Sequence, residues 1–346
     1  MAKKRIKKIK EIIEELKVEI AEGITSEKIV PIYFDNDRLK RQPALIYRLD
    51  IGNNENHRYY YRFDEANGNE PVFYTSVTTM IKNTLPIPPQ LIKWIADRGT
   101  EDSSAEANER AAYGTFLHIQ IGELLIFGKY NLDELPKKLE AFALKEKVTP
   151  KPDWITELKK DILAFSQFII DRNVRPIAIE IVLFHPDDNY AGAIDIVCEM
   201  DEEEKGFFGE TYASGARKGE PKASKRTIRV SAIVDIKSGR KGFHESHEIQ
   251  LHAYKEMFQI HFPDVPIHRV YNWSPKDWRN SPSYNLKDQT ESKSARKLPH
   301  LVALSKIEDS KRDNMVAMYD GVVDPTKGLG CNISYKSLVE LVKERQ

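Results

Sequence analysis

The chemistry-bearing residues of this sequence gather in two short apolar runs. Ala193-Ile194-Asp195-Ile196-Val197 and Val230-Ser231-Ala232-Ile233-Val234-Asp235-Ile236-Lys237 both read as β-strands. Successive side chains of a strand point to opposite faces. Val230, Ala232, Val234 and Ile236 therefore share an apolar face, and Asp235 and Lys237 share the other. Two carboxylates and an ammonium on one face of adjacent strands make a small metal site with a cation beside it, which is the chemistry of a metal-dependent phosphodiesterase. A charged pair at a strand tip is often just solvated, so the reading rests on what surrounds it.

Further elements stand in order around the pair. Gly114-Thr115-Phe116-Leu117-His118 lies in a helical stretch, and Gly114 sits one turn before His118 on the same face. Glu180 interrupts the apolar run Ile177–Phe184, alternating with Ala178 and Val182, where a carboxylate is costly unless paired or metal-bound. Ala191-Gly192-Ala193-Ile194-Asp195 follows the turn-forming Pro186-Asp187-Asp188-Asn189. Gln250 and Tyr254 lie on one face of a helix after the second strand.

Taken in order, Gly114/His118, Glu180, Gly192/Asp195, Asp235/Lys237 and Gln250/Tyr254 resemble the PD-(D/E)XK nuclease superfamily. The likeness is to the branch of bacterial recombination-exonuclease domains and their phage relatives, with G-x-x-x-H, an acidic residue, G-x-x-D, D-x-K and Q-x-x-x-Y. Thr75–Thr79 and Leu91–Trp94 resemble the entry segment of phage-type members more loosely. No proline precedes Asp195, a departure from the superfamily's name but not from this branch.

The resemblance implies an α/β fold, with a central mixed sheet flanked by helices, and a Mg²⁺- or Mn²⁺-dependent deoxyribonuclease. Hard divalent cations suit oxygen ligands, and an imidazole ligand favours Mn²⁺ somewhat. Expected metal ligands are His118, Asp195, Asp235 and the backbone carbonyl of Ile236. Lys237 is expected to orient the attacking water and stabilise charge at phosphorus. Glu180 has two readings, a site role or a salt bridge. Gln250 is expected to hold Lys237 or a phosphate; Tyr254 either faces DNA or is ordinary core. Trp273, Trp278 and Tyr284 read as packing rather than a stacking platform.

Composition narrows the classes. The 346 residues carry 53 basic and 53 acidic side chains, for zero net charge, which excludes a globally basic nucleic-acid binder but not a basic groove. Two cysteines, Cys198 and Cys331, cannot build a disulfide framework or a four-thiolate site. Cys198 reads as a small buried hydrophobe. With no signal peptide or long apolar run, a cytoplasmic protein without membrane association is expected. No G-x-x-x-x-G-K-[ST] loop is present, so any helicase or ATPase would be a separate protein.

Two parts are expected: residues 1–75, a helix and a small β extension, and 76–346, the nuclease-like unit with a polar insertion at 201–227. Lys3–Leu16 reads as an amphipathic helix whose apolar stripe runs through Ile6, Ile9, Ile13, Leu16 and Ile20. Strands are expected at 29–34, 44–49, 59–63 and 72–74, with turns at Gly52-Asn53-Asn54 and Asn67-Gly68-Asn69. Later helices are expected at 91–97, 104–128, 153–171 and 245–261, and strands at 177–184, 193–200, 227–237 and 267–273. The insertion reads as a mobile hairpin or loop, whose Arg217–Arg226 half is more simply solvated than bound to DNA. Residues 280–297 read as loop, and Ser334 as the cap of a terminal helix. DNA, linear duplex or single strand, is the expected partner. A separate recombinase, helicase or single-strand-binding partner and a homo-oligomer are compatible with this branch. The rival functions are a non-catalytic DNA-binding module and a structure- or sequence-specific endonuclease.

Overall fold

Val230, Ala232, Val234 and Ile236 do enter one core together, while Ile233 enters the core on the other face. The sheet is thus buried on both sides, and helices cover both faces. The computed structural model describes residues 17–21, 24–51, 58–64, 68, 70–240, 242–309, 315–321 and 331–343. The expected helix Lys3–Leu16 and the turn at Gly52–Asn54 lie outside the described residues, as do Asn67 and Asn69. Ile20, the last member of that helical stripe, belongs to a strand instead.

The chain begins with strands β1 (Lys17–Ala21), β2 (Ile24–Ile29), β3 (Tyr33–Phe34), β4 (Ile46–Ile51), β5 (Arg58–Asp64) and β6 (Glu70–Ser76). Helices α1 (Val77–Thr84), α2 (Pro89–Arg98), α3 (Thr100–Phe127), α4 (Leu135–Glu146) and α5 (Trp154–Arg172) follow. Then come β7 (Arg175–His185), β8 (Tyr190–Thr211), β9 (Pro221–Ile236), α6 (Glu245–His261), β10 (Arg269–Pro275), β11 (Tyr284–Asp288) and α7 (Leu298–Asp309). A separate hairpin, β12 (Met315–Gly321) and β13 (Cys331–Ser337), leads to α8 (Leu338–Lys343).

Among the described residues, eleven strands form one sheet in the order β1-β2-β4-β5-β6-β8-β9-β10-β11, with β7 bridging β3 and β8. The β6–β8 and β9–β10 pairs are parallel and the rest antiparallel. The expected mixed α/β sheet is therefore present, and the N-terminal strands extend it through β6. Helices α3, α4 and α5 cover one face; α1, α6 and α7 cover the other. No described helix is long and apolar enough to cross a membrane.

One break in β8 sets up the site. Its pairing with β6 ends at Ala191, and its pairing with β9 begins at Ile196. Gly192–Asp195 therefore face the fork where β6 and β9 diverge. The phase of the pleat also changes there. Ile181 and Ile194 enter the α6-side core, whereas their strand neighbours Ile179 and Ile196 enter the α3-side core. Simple alternation would put all four on one face. The change falls at Glu180, opposite Asp195, and Glu180 has φ 53°, a left-handed backbone inside a strand.

Some local expectations are met and others corrected. The polar insertion takes the hairpin form of the two expected, as the extended β8–β9 ribbon, paired out to Thr211–Pro221. Its charges pair across the strands, Arg226 with Glu204 at 2.6 Å and Lys225 with Glu203 at 2.7 Å. Residues 280–297 contain β11, held by β10. Ser334 lies in β13; the terminal helix is capped by Ser337, whose Oγ accepts from the Glu340 amide at 3.2 Å. Cys198 is fully buried, and burial pushes its thiol up to about 12. Trp273 packs edge-on to Phe165, ring centroids 4.9 Å apart, as core.

Candidate metal centre

Three elements bring ligand atoms together at the fork. His118 comes from α3, Glu180 from β7 and Asp195 from β8, and one donor atom of each lies within 4.8 Å of the others. His118 Nδ1 stands 3.6 Å from Glu180 Oε1 and 3.7 Å from Asp195 Oδ1. Its other nitrogen, Nε2, donates to the Ile236 carbonyl at 3.1 Å. That bond fixes the ring and leaves Nδ1 facing the carboxylates, the usual way a ligating imidazole is oriented. An imidazole and two carboxylates with a second-sphere carbonyl fit a divalent cation.

Gly114 faces the segment after β9 at close range. A Cβ there would lie 3.2 Å from Ser238 Oγ, just beyond β9. Asp195 Oδ2 accepts the Ile236 amide at 2.7 Å, so a side chain takes over a main-chain donor at the fork. The Ile236 backbone therefore serves the centre twice, its N–H on Asp195 and its carbonyl on His118.

Asp235 and Lys237 stand beside this group, on the α6 side. Asp235 is only 1% exposed and is not among the three clustered candidate ligands. Asn272 Nδ2 donates to its Oδ2 at 2.8 Å, and Lys237 Nζ lies 3.0 Å from Oδ1 and 2.9 Å from Oδ2. Lys237 also donates to Gln250 Oε1 at 3.2 Å, and Gln250 Nε2 donates to Tyr254 Oη at 2.6 Å. The expected Gln250–Lys237 contact is present. Tyr254 is buried, and its ring fills the fork over Gly192, where a Cβ would come 2.7 Å from Tyr254 Cε1.

The electrostatics follow from burying these charges together. Burial works against a charged His118, but Asp195 and Glu180 outweigh it and hold its pKa up at about 9. Burial raises Asp195 against the pull of His118. Burial pushes Asp235 up to about 6, with Lys237 opposing. Burial likewise raises Tyr254 well above the ordinary phenol range, so it stays a neutral hydroxyl.

Asn272 and Gln289 are polar residues of this neighbourhood that the sequence reading missed, both buried. The signal available was an amide inside the apolar run Val270-Tyr271-Asn272-Trp273, since a buried polar side chain requires a partner.

No family model and no curated protein matches this chain. Among solved structures, one from Eubacterium rectale described as "Putative exonuclease" aligns at 10% sequence identity. It covers 61% of this chain and 85% of its own, with a TM-score of 0.30. A likeness of that size carries no argument about activity.

Proposed function

We propose that this protein is a metal-dependent DNA nuclease, with exonuclease the favoured mode, acting in DNA recombination, repair or replication. The observation that carries the reading is the meeting of His118, Glu180 and Asp195 beside Lys237, in the order and on the elements the resemblance implies. In this reading residues 76–346 form the nuclease unit and 1–75 its extension.

His118, Glu180 and Asp195 would hold the cation, with Asp235 adjoining. Mg²⁺ or Mn²⁺ bound there supplies neutralisation of phosphate charge and a more acidic water. The remaining work falls to the chain. Asp235 and Gln250 hold the Lys237 ammonium in place, so that it orients the attacking water and meets the charge developing on the phosphoryl oxygens. The Ile236 carbonyl keeps the His118 ring aimed at the carboxylates. Tyr254, neutral and buried, braces Gln250 rather than stacking on a base.

The test is a time course on end-labelled linear duplex, the same sequence as a closed circle, and a single strand. It is run with Mg²⁺, with Mn²⁺ and with chelator, alongside Lys237→Ala and Asp195→Asn. Metal-dependent loss of linear DNA that spares the circle and vanishes in both variants is the expected result. Nicking of the circle would move the assignment to an endonuclease. DNA binding without cleavage under either metal would leave a non-catalytic DNA-binding module.

A further inference from the structure

Asp235 has a supporting chain that runs away from the candidate centre, through groups no motif includes. Asn272 sits on β10 directly opposite Asp235 in the parallel register and is 0% exposed. Its Nδ2 donates to Asp235 Oδ2 at 2.8 Å, and its Oδ1 accepts from Gln289 Nε2 at 3.2 Å. The backbone of Gln289, a residue 3% exposed, is itself tied down: its N–H donates to the Val270 carbonyl at 2.9 Å, and its main-chain carbonyl accepts from His252 Nε2 at 2.8 Å. His252 lies on α6, the helix that carries Gln250 and Tyr254.

The direction of this chain follows from chemistry. An ionised carboxylate only accepts, so Asn272 must present its NH₂ to Asp235 and its oxygen to Gln289. Gln289 must then present its own NH₂. Two amides are thus lined up donor-first toward one carboxylate, in surroundings where bonds polarise one another. We infer that Asn272, oriented by Gln289, is a positioning residue that fixes the Asp235 carboxylate and, through it, the Lys237 ammonium. The β10 strand and α6 then locate Lys237 from two sides, by Asp235 and by Gln250. The geometric part stands by itself; the consequence for catalysis rests on the nuclease reading.

The experiment uses the full chain carrying Asn272→Leu, close to isosteric but without a donor. Gln289→Met frees the Asn272 amide to turn and serves if the first variant does not fold. The metal-free crystal structure of the variant and its Mn²⁺ affinity by titration calorimetry are measured beside kcat and KM on duplex DNA. We expect the Asp235 carboxylate to rotate and Lys237 Nζ to leave Gln250 Oε1. Mn²⁺ affinity or kcat should fall about 10–100-fold, the usual cost of losing an outer-shell partner, with KM nearly unchanged. Unmoved Asp235 and Lys237, with Mn²⁺ affinity within about twofold of wild type, would overturn the inference. If wild type binds no Mn²⁺ and cuts no DNA, the nuclease reading fails instead. The variant structure then decides positioning alone, rotation supporting it and an unmoved pair refuting it.

Discussion

Glu180 offers the sharpest test of how this centre is built. Its φ of 53° places an L side chain in the left-handed region, inside a strand and against Asp195. That conformation costs a non-glycine residue about 1–2 kcal/mol. Glycine adopts it freely, although in an ordinary strand glycine is about 0.5–1 kcal/mol worse than alanine. Comparing Glu180→Gly with Glu180→Ala removes the same carboxylate in both, so its interactions with Asp195 and His118 cancel. The difference leaves relief of about 1–2 kcal/mol less a glycine penalty of about 0.5–1, and the glycine variant should be more stable by about 1 kcal/mol. Urea denaturation in chelator, at equal m-values, measures this as a shift in midpoint. An alanine variant more stable than the glycine one would refute the left-handed backbone at 180. In the nuclease reading both variants should bind Mn²⁺ at least about tenfold more weakly, since both lack the carboxylate.

Other predictions follow from packing and charge. Gly192→Ala should destabilise the fold by about 1–3 kcal/mol and displace Tyr254, because the new Cβ would meet its ring at 2.7 Å; thermal unfolding and the Tyr254 position in a variant crystal structure would show it. Arg240→Met should cost about 3–5 kcal/mol in denaturant unfolding, because it leaves Asp161, 1% exposed, without the Arg240 guanidinium 2.5 Å away. The double variant with Asp161→Asn should recover part of that loss. Burial, with Lys237 and His244 adding to it, lowers His247 from 6.5 to about 3, so the fold favours its neutral form. The stability this gives is complete above pH 6.5 and is lost as pH falls from 6.5 toward 3; His247→Asn should flatten that part of the stability–pH curve.

What could be read from sequence depended on whether the signal was local. The alternation of Val230, Ala232, Val234 and Ile236 against Asp235 and Lys237 is a local property of one strand, and the structure has it. So is the helical spacing of Gln250 and Tyr254, on a helix whose limits, Glu245–His261, were legible. Glu180 was read by alternation with Ala178 and Val182, but those two neighbours sit in different cores. The reason is a left-handed residue in mid-strand, which sequence periodicity cannot carry. Helix α4 went unread although Leu135, Leu139 and Phe142 mark a buried stripe, a signal that was available. Likewise Ser337 followed by Glu340 was a readable cap, passed over for Ser334. Asn272 showed as an amide in an apolar run, but which partners it and Gln289 take was not legible, because those partners are distant in sequence.

The β8–β9 ribbon has a consequence for folding fidelity. Asp195 and the Ile236 peptide meet only because these two strands pair in one register. A slip of one residue would turn every side chain of β9 to the opposite face. Arg229, Ser231 and Asp235 would then face the core that now holds Val230, Ala232, Val234 and Ile236, and the amide on Asp195 and the carbonyl on His118 would be lost. Far from the centre, the charge pairs Arg226 with Glu204 and Lys225 with Glu203 match in this alignment, a small exposed contribution to the same register. Hairpins close early because their contacts are local. The outer ribbon thus carries the same register as the centre, and its length adds paired positions that a slip would have to break.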